Sequence, residues 1–224
     1  MYFDTGNPYV GFDATAYHHR NFTADYPSVA FLNREMLQEA VKKRLGGPPR
    51  LTVEVGCSIG SGAVGVSAPL AKMSMGREIS DGGIHLCFDT WQGDINMRLL
   101  DEFCKLMDIK NGFLTLHRQF LAHMIMSNNT ETVFPVSLPS LVGARVLAAL
   151  EWKIDVVCVD YAHELDETGL ELSLFYSILR DGGLMMGDDI NLFPAVKHDV
   201  DSFVEENDLL LELLGGDQWL IQKP

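Results

Sequence analysis

Five carboxylates and one imidazole stand at or beside the ends of apolar runs in this 224-residue chain, and the groups around them suggest what they could bind. Glu54 lies in the run 51–55, just ahead of Gly56-x-x-x-Gly60-x-Gly62. Glycines let a backbone turn tightly and approach a ligand with no Cβ in the way. The N-terminus of a helix that follows offers unpaired N–H donors and a positive dipole end. The spacing is not the Gly-x-Gly-x-x-Gly of dinucleotide folds, and no Gly-Lys-Ser/Thr follows to make a nucleotide-phosphate loop. A carboxylate at Glu54 would repel a pyrophosphate and attract a cationic amino-acid group. Asp89 closes the next apolar run, where such folds set an acid against a ribose diol. The plain alternative is a Gly-rich turn that serves only the geometry of the chain.

Asp160 follows the run 154–159, Asp188 and Asp189 follow the run 183–186, and His163 comes three residues after Asp160. Carboxylates gathered in one place repel one another unless a cation lies between them. A hard divalent ion such as Mg2+ takes oxygen ligands and leaves room for water and a substrate oxygen. A neutral imidazole beside them could accept a hydroxyl proton near neutral pH. Plainer roles stand against these: a helix cap or a backbone contact for the aspartates, a local hydrogen bond for His163.

These groups meet only if the chain builds a mostly parallel sheet, because the carboxyl ends of parallel strands share one edge, where ligands bind. The apolar runs 51–55, 84–88, 133–136, 154–159 and 183–186 read as buried strands. Helical spacing marks 28–45, where Val29, Leu32, Met36, Leu37, Ala40 and Val41 recur, and also 61–75, 95–107, 113–126, 141–150, 170–179 and 194–206. Gly46-Gly-Pro-Pro49 stops the first of these helices. Runs 209–214 and 219–222, parted by Gly215-Gly-Asp217, read as a terminal antiparallel hairpin. The alternation implies an α/β fold with helices on both faces of the sheet.

Composition narrows the partners. A chain of this length buries a substantial core as one domain. A net charge of −14 argues against nucleic acid, which is bound by excess Lys and Arg, and fits a small substrate. No stretch approaches the ~20 apolar residues that span a bilayer, and the start lacks the basic and apolar segments of a signal peptide. Cys57, Cys87, Cys104 and Cys158 read as buried free thiols of a reducing, cytoplasmic compartment. No CxxC pair or Cys/His spacing marks a zinc site. His18 and His19, beside Tyr17, suit either a lid or a solvated arm. His117 and His123 fit core packing, His85 and His198 suggest no chemistry, and Trp91 suits a pocket wall or plain burial.

Glu54-Val-Gly-x-x-x-Gly60-x-Gly62, Asp89-Thr-Trp91, Asp155-x-Val-x-Val-Asp160-x-x-His163, Leu179-Arg-Asp-Gly-Gly183, Gly187-Asp-Asp189 and Gln218-Trp-Leu-Ile-Gln-Lys223 together resemble the class I S-adenosylmethionine (SAM)-dependent methyltransferases. Within these the pattern is similar to the metal-dependent small-molecule O-methyltransferases of the macrolide-sugar and rhamnosyl type. The resemblance covers residues 50–223. It implies a Rossmann-like, seven-stranded, mostly parallel sheet with a C-terminal antiparallel hairpin. It implies SAM over the first turn: Glu54, Gly56 and Gly60 at its amino-acid part, Asp89 at its ribose, Ser137 and Ser140 near its adenine. It also implies Mg2+ on Asp160, Asp188 and Asp189, with His163 as base and Asp160 beside it in catalysis. The acceptor would be a small hydroxylated molecule. The chain then divides into 1–45, an arm and helix serving as lid or homo-oligomer contact, and 46–224, the methyltransferase domain. The connection to Asp89 is longer than the family's usual ~20 residues, and the arm matches no known pattern.

Overall fold

A parallel sheet is covered on both faces, so its central strands are buried throughout even where, as in Leu51-Thr-Val-Glu-Val55, polar residues alternate with apolar ones. The strand β1 (Leu51–Val55), buried along its whole length, takes that central place. The computed structural model describes residues 6–17, 34–67, 70, 72, 83–99, 104, 107–161 and 163–224. In these, β1 is followed by β2 (Ile84–Asp89), α2 (Ile95–Leu99), the short strands β3 (Ile109–Lys110) and β4 (Phe113–Leu114), and α3 (Leu116–Met126). Then come β5 (Val133–Ser137), α4 (Ser140–Ala149), β6 (Ile154–Val159), α5 (Glu167–Ile178), β7 (Leu179–Gly187), α6 (Pro194–Glu206), β8 (Leu211–Gly215) and β9 (Gln218–Gln222). A helix α1 (Arg34–Leu45) precedes β1.

Seven strands form one sheet in the order β5-β2-β1-β6-β7-β9-β8. The first five are parallel, and β9 and β8 add an antiparallel pair. From β1 the chain builds outward to β2 and β5 on one side, then to β6 and β7 on the other. That reversal puts the switch point, and hence the ligand crevice, between β1 and β6. On one face Val53, Phe88, Val157 and Met185 pack with Leu147 of α4, Leu172 and Phe175 of α5, and Val200 and Phe203 of α6. On the other, Cys57, Cys87 and Val133 meet Phe120 and Met124 of α3, and Val156, Leu184 and Met186 meet Val41 of α1. This is the expected seven-stranded α/β sheet with a closing hairpin.

Several expected elements differ in extent. The helix expected at 113–126 starts at Leu116, because Asn111 and Gly112, with φ of +54° and +81°, make the two-residue turn that joins β3 to β4. β7 begins at Leu179 rather than 183, its register against β6 shifting between Ile154 and Val156. Of the helix expected at 95–107 the structure shows Ile95–Leu99; residues 100–103, 105 and 106 lie outside the described residues. The turn opens at Ser61 as expected and continues as a π-type turn over Ala63–Ser67. Residues 68, 69, 71 and 73–75 of that expected helix lie outside the described residues, as do 28–33, His18 and His19. Within the arm, Tyr9 is buried and its hydroxyl donates to the Val133 carbonyl at 2.7 Å on the edge strand β5. Among the described residues no helix is long and apolar enough to cross a membrane.

Candidate active site

β6 and β7 are hydrogen-bonded neighbours, with Val159 opposite Gly187, so Asp160 and Asp189 emerge together at the carboxyl edge. Asp189 takes a left-handed conformation, φ +64°, which a short polar side chain tolerates. Its Oδ2 lies 2.9 Å from His163 Nε2, and Asp160 Oδ1 lies 3.9 Å from the same nitrogen. On the other side of the ring, Nδ1 is 3.3 Å from Asp94 Oδ2, while Phe193 packs against the ring with centroids 4.3 Å apart. Asp94 is itself fixed, its Oδ1 accepting the Met97 N–H at 2.6 Å at the start of α2. Nothing in the sequence pointed to Asp94, a single acid in the loop after β2.

These contacts decide the charge of His163. Burial works against the imidazolium, but hydrogen bonds to Asp189 and Asp94 and the charge of Asp160 hold its pKa up to about 10. Burial and the neighbouring Asp189 push Asp160 well above the usual carboxylate range. Burial also pushes Asp94 up, but the hydrogen bonds from His163 and Met97 outweigh it and leave the acid below its ordinary value. The chain by itself therefore uses His163 as the counter-cation of an acid cluster. The neutral imidazole expected from the sequence needs another cation in the cluster.

Donor atoms of Asp160, His163 and Asp189 lie within 4.8 Å of one another. A divalent ion fits the carboxylates of this set, Asp160 and Asp189, because it would neutralise the crowded charge that His163 now balances. Asp188, expected to share that ion, is buried, and its Oδ1 accepts the Asp189 N–H at 2.9 Å. Its backbone carbonyl accepts the Trp219 indole N–H at 3.3 Å.

The Gly-rich turn abuts this cluster. Gly56 has φ +85°, and a Cβ there would sit 2.0 Å from the Asp160 carbonyl oxygen. Gly60, at φ +93°, would place one 2.5 Å from Met124 Cε. The backbone of Asp160 thus already requires Gly56, and a left-handed φ favours glycine at 60. Asp89, 7% exposed, clamps the turn to the end of β2: its Oδ2 accepts the Ser58 N–H at 2.7 Å and its Oδ1 the Trp91 N–H at 2.6 Å. Burial raises its pKa despite those bonds. Beside it, the buried Ser58 hydroxyl oxygen has no hydrogen-bond partner, as fits a turn that completes its bonding with a ligand. Ser137 stands opposite Asp89 in register, exposed at the same edge. Ser140 is buried and its hydroxyl donates to the Glu171 carboxylate. Glu54 is 1% exposed with Oε2 3.1 Å from His85 Nε2, so His85, which suggested no chemistry in sequence, is a buried partner of a key acid.

No family model and no curated protein matches the sequence, whereas solved structures do. The chain is similar to CalS11, a calicheamicin methyltransferase, at 16% identity and a TM-score of 0.59, covering 84% of this chain and 78% of that one. It is similar to the O-methyltransferase NovP at 18% identity and 0.59, covering 85% and 78%. An O-methyltransferase from Bacillus cereus, solved in complex with S-adenosylhomocysteine (SAH), matches at 12% identity and 0.53, covering 84% and 79%. The fold is that of the class I methyltransferases.

Proposed function

We propose that the chain is a SAM-dependent O-methyltransferase that moves a methyl group to a hydroxyl of a small molecule, assisted by Mg2+ or a similar divalent ion. The observation that carries this reading is the cluster of Asp160, His163 and Asp189 at the switch-point edge of a methyltransferase fold, beside the clamped turn. SAM would lie over residues 56–60, with Asp89 toward its ribose and Ser137 and Ser140 toward its adenine, while Glu54, 1% exposed and paired with His85, stands behind the turn. Asp160 and Asp189, with Asp188 behind them, would hold the ion. Such an ion orients an acceptor hydroxyl and lowers its pKa. His163, freed from balancing the acids, then loses its proton more readily, because a nearby cation repels its charged form. It takes the hydroxyl proton through Nε2 while Asp94 holds Nδ1–H and fixes the tautomer. The site otherwise supplies proximity and alignment of the oxygen with the methyl group. The structural relatives support a small hydroxylated acceptor: CalS11 is described as a TDP-rhamnose 3'-O-methyltransferase.

Incubation with SAM and a panel of hydroxylated metabolites, read by mass spectrometry, tests the proposal. Mg2+ should give a methylated product and chelator should abolish it. Full turnover in chelator removes the ion from the mechanism. SAM binding without turnover on any acceptor would instead mark a non-catalytic binding protein.

A further inference from the structure

The sheet face opposite α4, α5 and α6 carries a second group of ligand-bearing side chains, made from two short patterns on neighbouring strands. Glu54-x-x-Cys57 leaves β1 through the turn, and His85-x-Cys87 lies on β2. Strand alternation puts His85 and Cys87 on one face, and the parallel register sets Glu54 opposite Cys87 and Thr52 opposite His85. Cys57 returns from the turn toward the same point. Donor atoms of Glu54, Cys57 and Cys87 lie within 4.8 Å of one another, and His85 Nε2 is 3.1 Å from Glu54 Oε2. The four side chains are 1%, 2%, 0% and 0% exposed for Glu54, Cys57, His85 and Cys87.

Packing alone does not account for this group. The surrounding cluster is Ile59, Phe120, Met124 and Val133, and a buried carboxylate and imidazole among such residues cost several kcal/mol of desolvation before their mutual attraction is counted. The donor types, two sulfurs, one nitrogen and one oxygen, are those that a tetrahedral zinc site uses. The outer contacts also suit one. The Thr52 hydroxyl donates to the Ile84 carbonyl at 3.3 Å, so its oxygen, 2.9 Å from His85 Nδ1, accepts the Nδ1–H. Once it gives up the proton that now faces Glu54, His85 presents Nε2 to the cluster, the arrangement by which an outer hydrogen bond orients a ligating histidine.

We propose that Glu54, Cys57, His85 and Cys87 form a buried zinc site that joins β1, β2 and the Gly-rich turn. Both thiols, and the His85 Nε2–H that faces Glu54, lose their protons to solvent as the ion binds, and the ion replaces the Glu54–His85 contact as the link between the strands. The site is separate from the Asp160–His163–Asp189 cluster and does not depend on methyl transfer. Its donors are sulfur-rich, whereas the other cluster suits a harder ion.

Reduced, chelator-stripped protein titrated with Co2+ should develop the intense near-ultraviolet absorption of thiolate-to-cobalt charge transfer, and Zn2+ should displace it. Asp189→Asn should keep the band, while Cys57→Ser and Cys87→Ser should lose it. X-ray absorption on zinc-loaded wild type needs no variant: it should show sulfur neighbours at about 2.3 Å together with nitrogen or oxygen at about 2.0 Å. Absence of the band in the wild type, its survival in both serine variants, or a zinc shell without sulfur overturns the proposal.

Discussion

Three acids hold His163 from two sides of its ring: Asp189 at 2.9 Å and Asp160 at 3.9 Å from Nε2, and Asp94 at 3.3 Å from Nδ1. Its chemistry depends on what else neutralises them. If it is the base, His163→Ala should lower kcat by ~10²–10⁴-fold while SAM affinity stays near wild type. The acidic limb of the kcat pH profile should vanish with it. A loss below about tenfold with the limb intact would make the metal the sole activator of the hydroxyl. Asp160, His163 and Asp189 were legible in the sequence because apolar runs announce strand ends, and strand ends in a parallel sheet share an edge. Asp94 was not, since it reaches His163 across 69 residues through a loop. His85 was hidden for a similar reason: its meaning comes from the residue opposite on another strand.

Among the elements, the junction of β1 with β6 is the tightest. Gly56→Ala would combine a left-handed backbone with a methyl group 2.0 Å from the Asp160 carbonyl oxygen. Strain and overpacking should together cost about 2–5 kcal/mol, seen as a lowered denaturant midpoint. A wild-type midpoint would show that β6 yields there. Between α4 and α5, Glu171 is 2% exposed, accepts from Ser140 through Oε1, and has no hydrogen-bond partner at Oε2. Burial lifts its pKa from 4.5 to about 7. The folded state therefore holds a proton the unfolded chain releases, and stability falls as pH rises through that window. Glu171→Gln, which does not titrate, should gain on the wild type between pH 4.5 and about 7 and keep the gain above it, on the order of 1–3 kcal/mol. Parallel denaturation midpoints across that range would contradict this. The parallel strands were readable from their apolar runs. The β3–β4 hairpin was not, because Phe113 and Leu114 continued the helical spacing that begins in earnest at Leu116, while the Asn111-Gly112 turn signal went unused.

For the molecule as a whole, the reversal of the seven-stranded sheet at β1 sets the expected ligand crevice between β1 and β6, and the clamped turn and the acid cluster lie at that edge. The closing hairpin supports the acid side: Trp219 is fully buried and donates to the Asp188 carbonyl. The fold class was legible from alternation and the terminal hairpin alone. The ligand contacts of the turn were less so, since Gly56 is already required by the Asp160 backbone and Gly60 is favoured by its left-handed φ. The central claim is that this crevice holds SAM. Calorimetric titration with SAH tests it most directly. The account predicts micromolar-range binding, weakened by about 1–3 kcal/mol in Asp89→Asn, which loses charge-assisted hydrogen bonding. A folded wild-type protein that binds NAD but not SAH would contradict it.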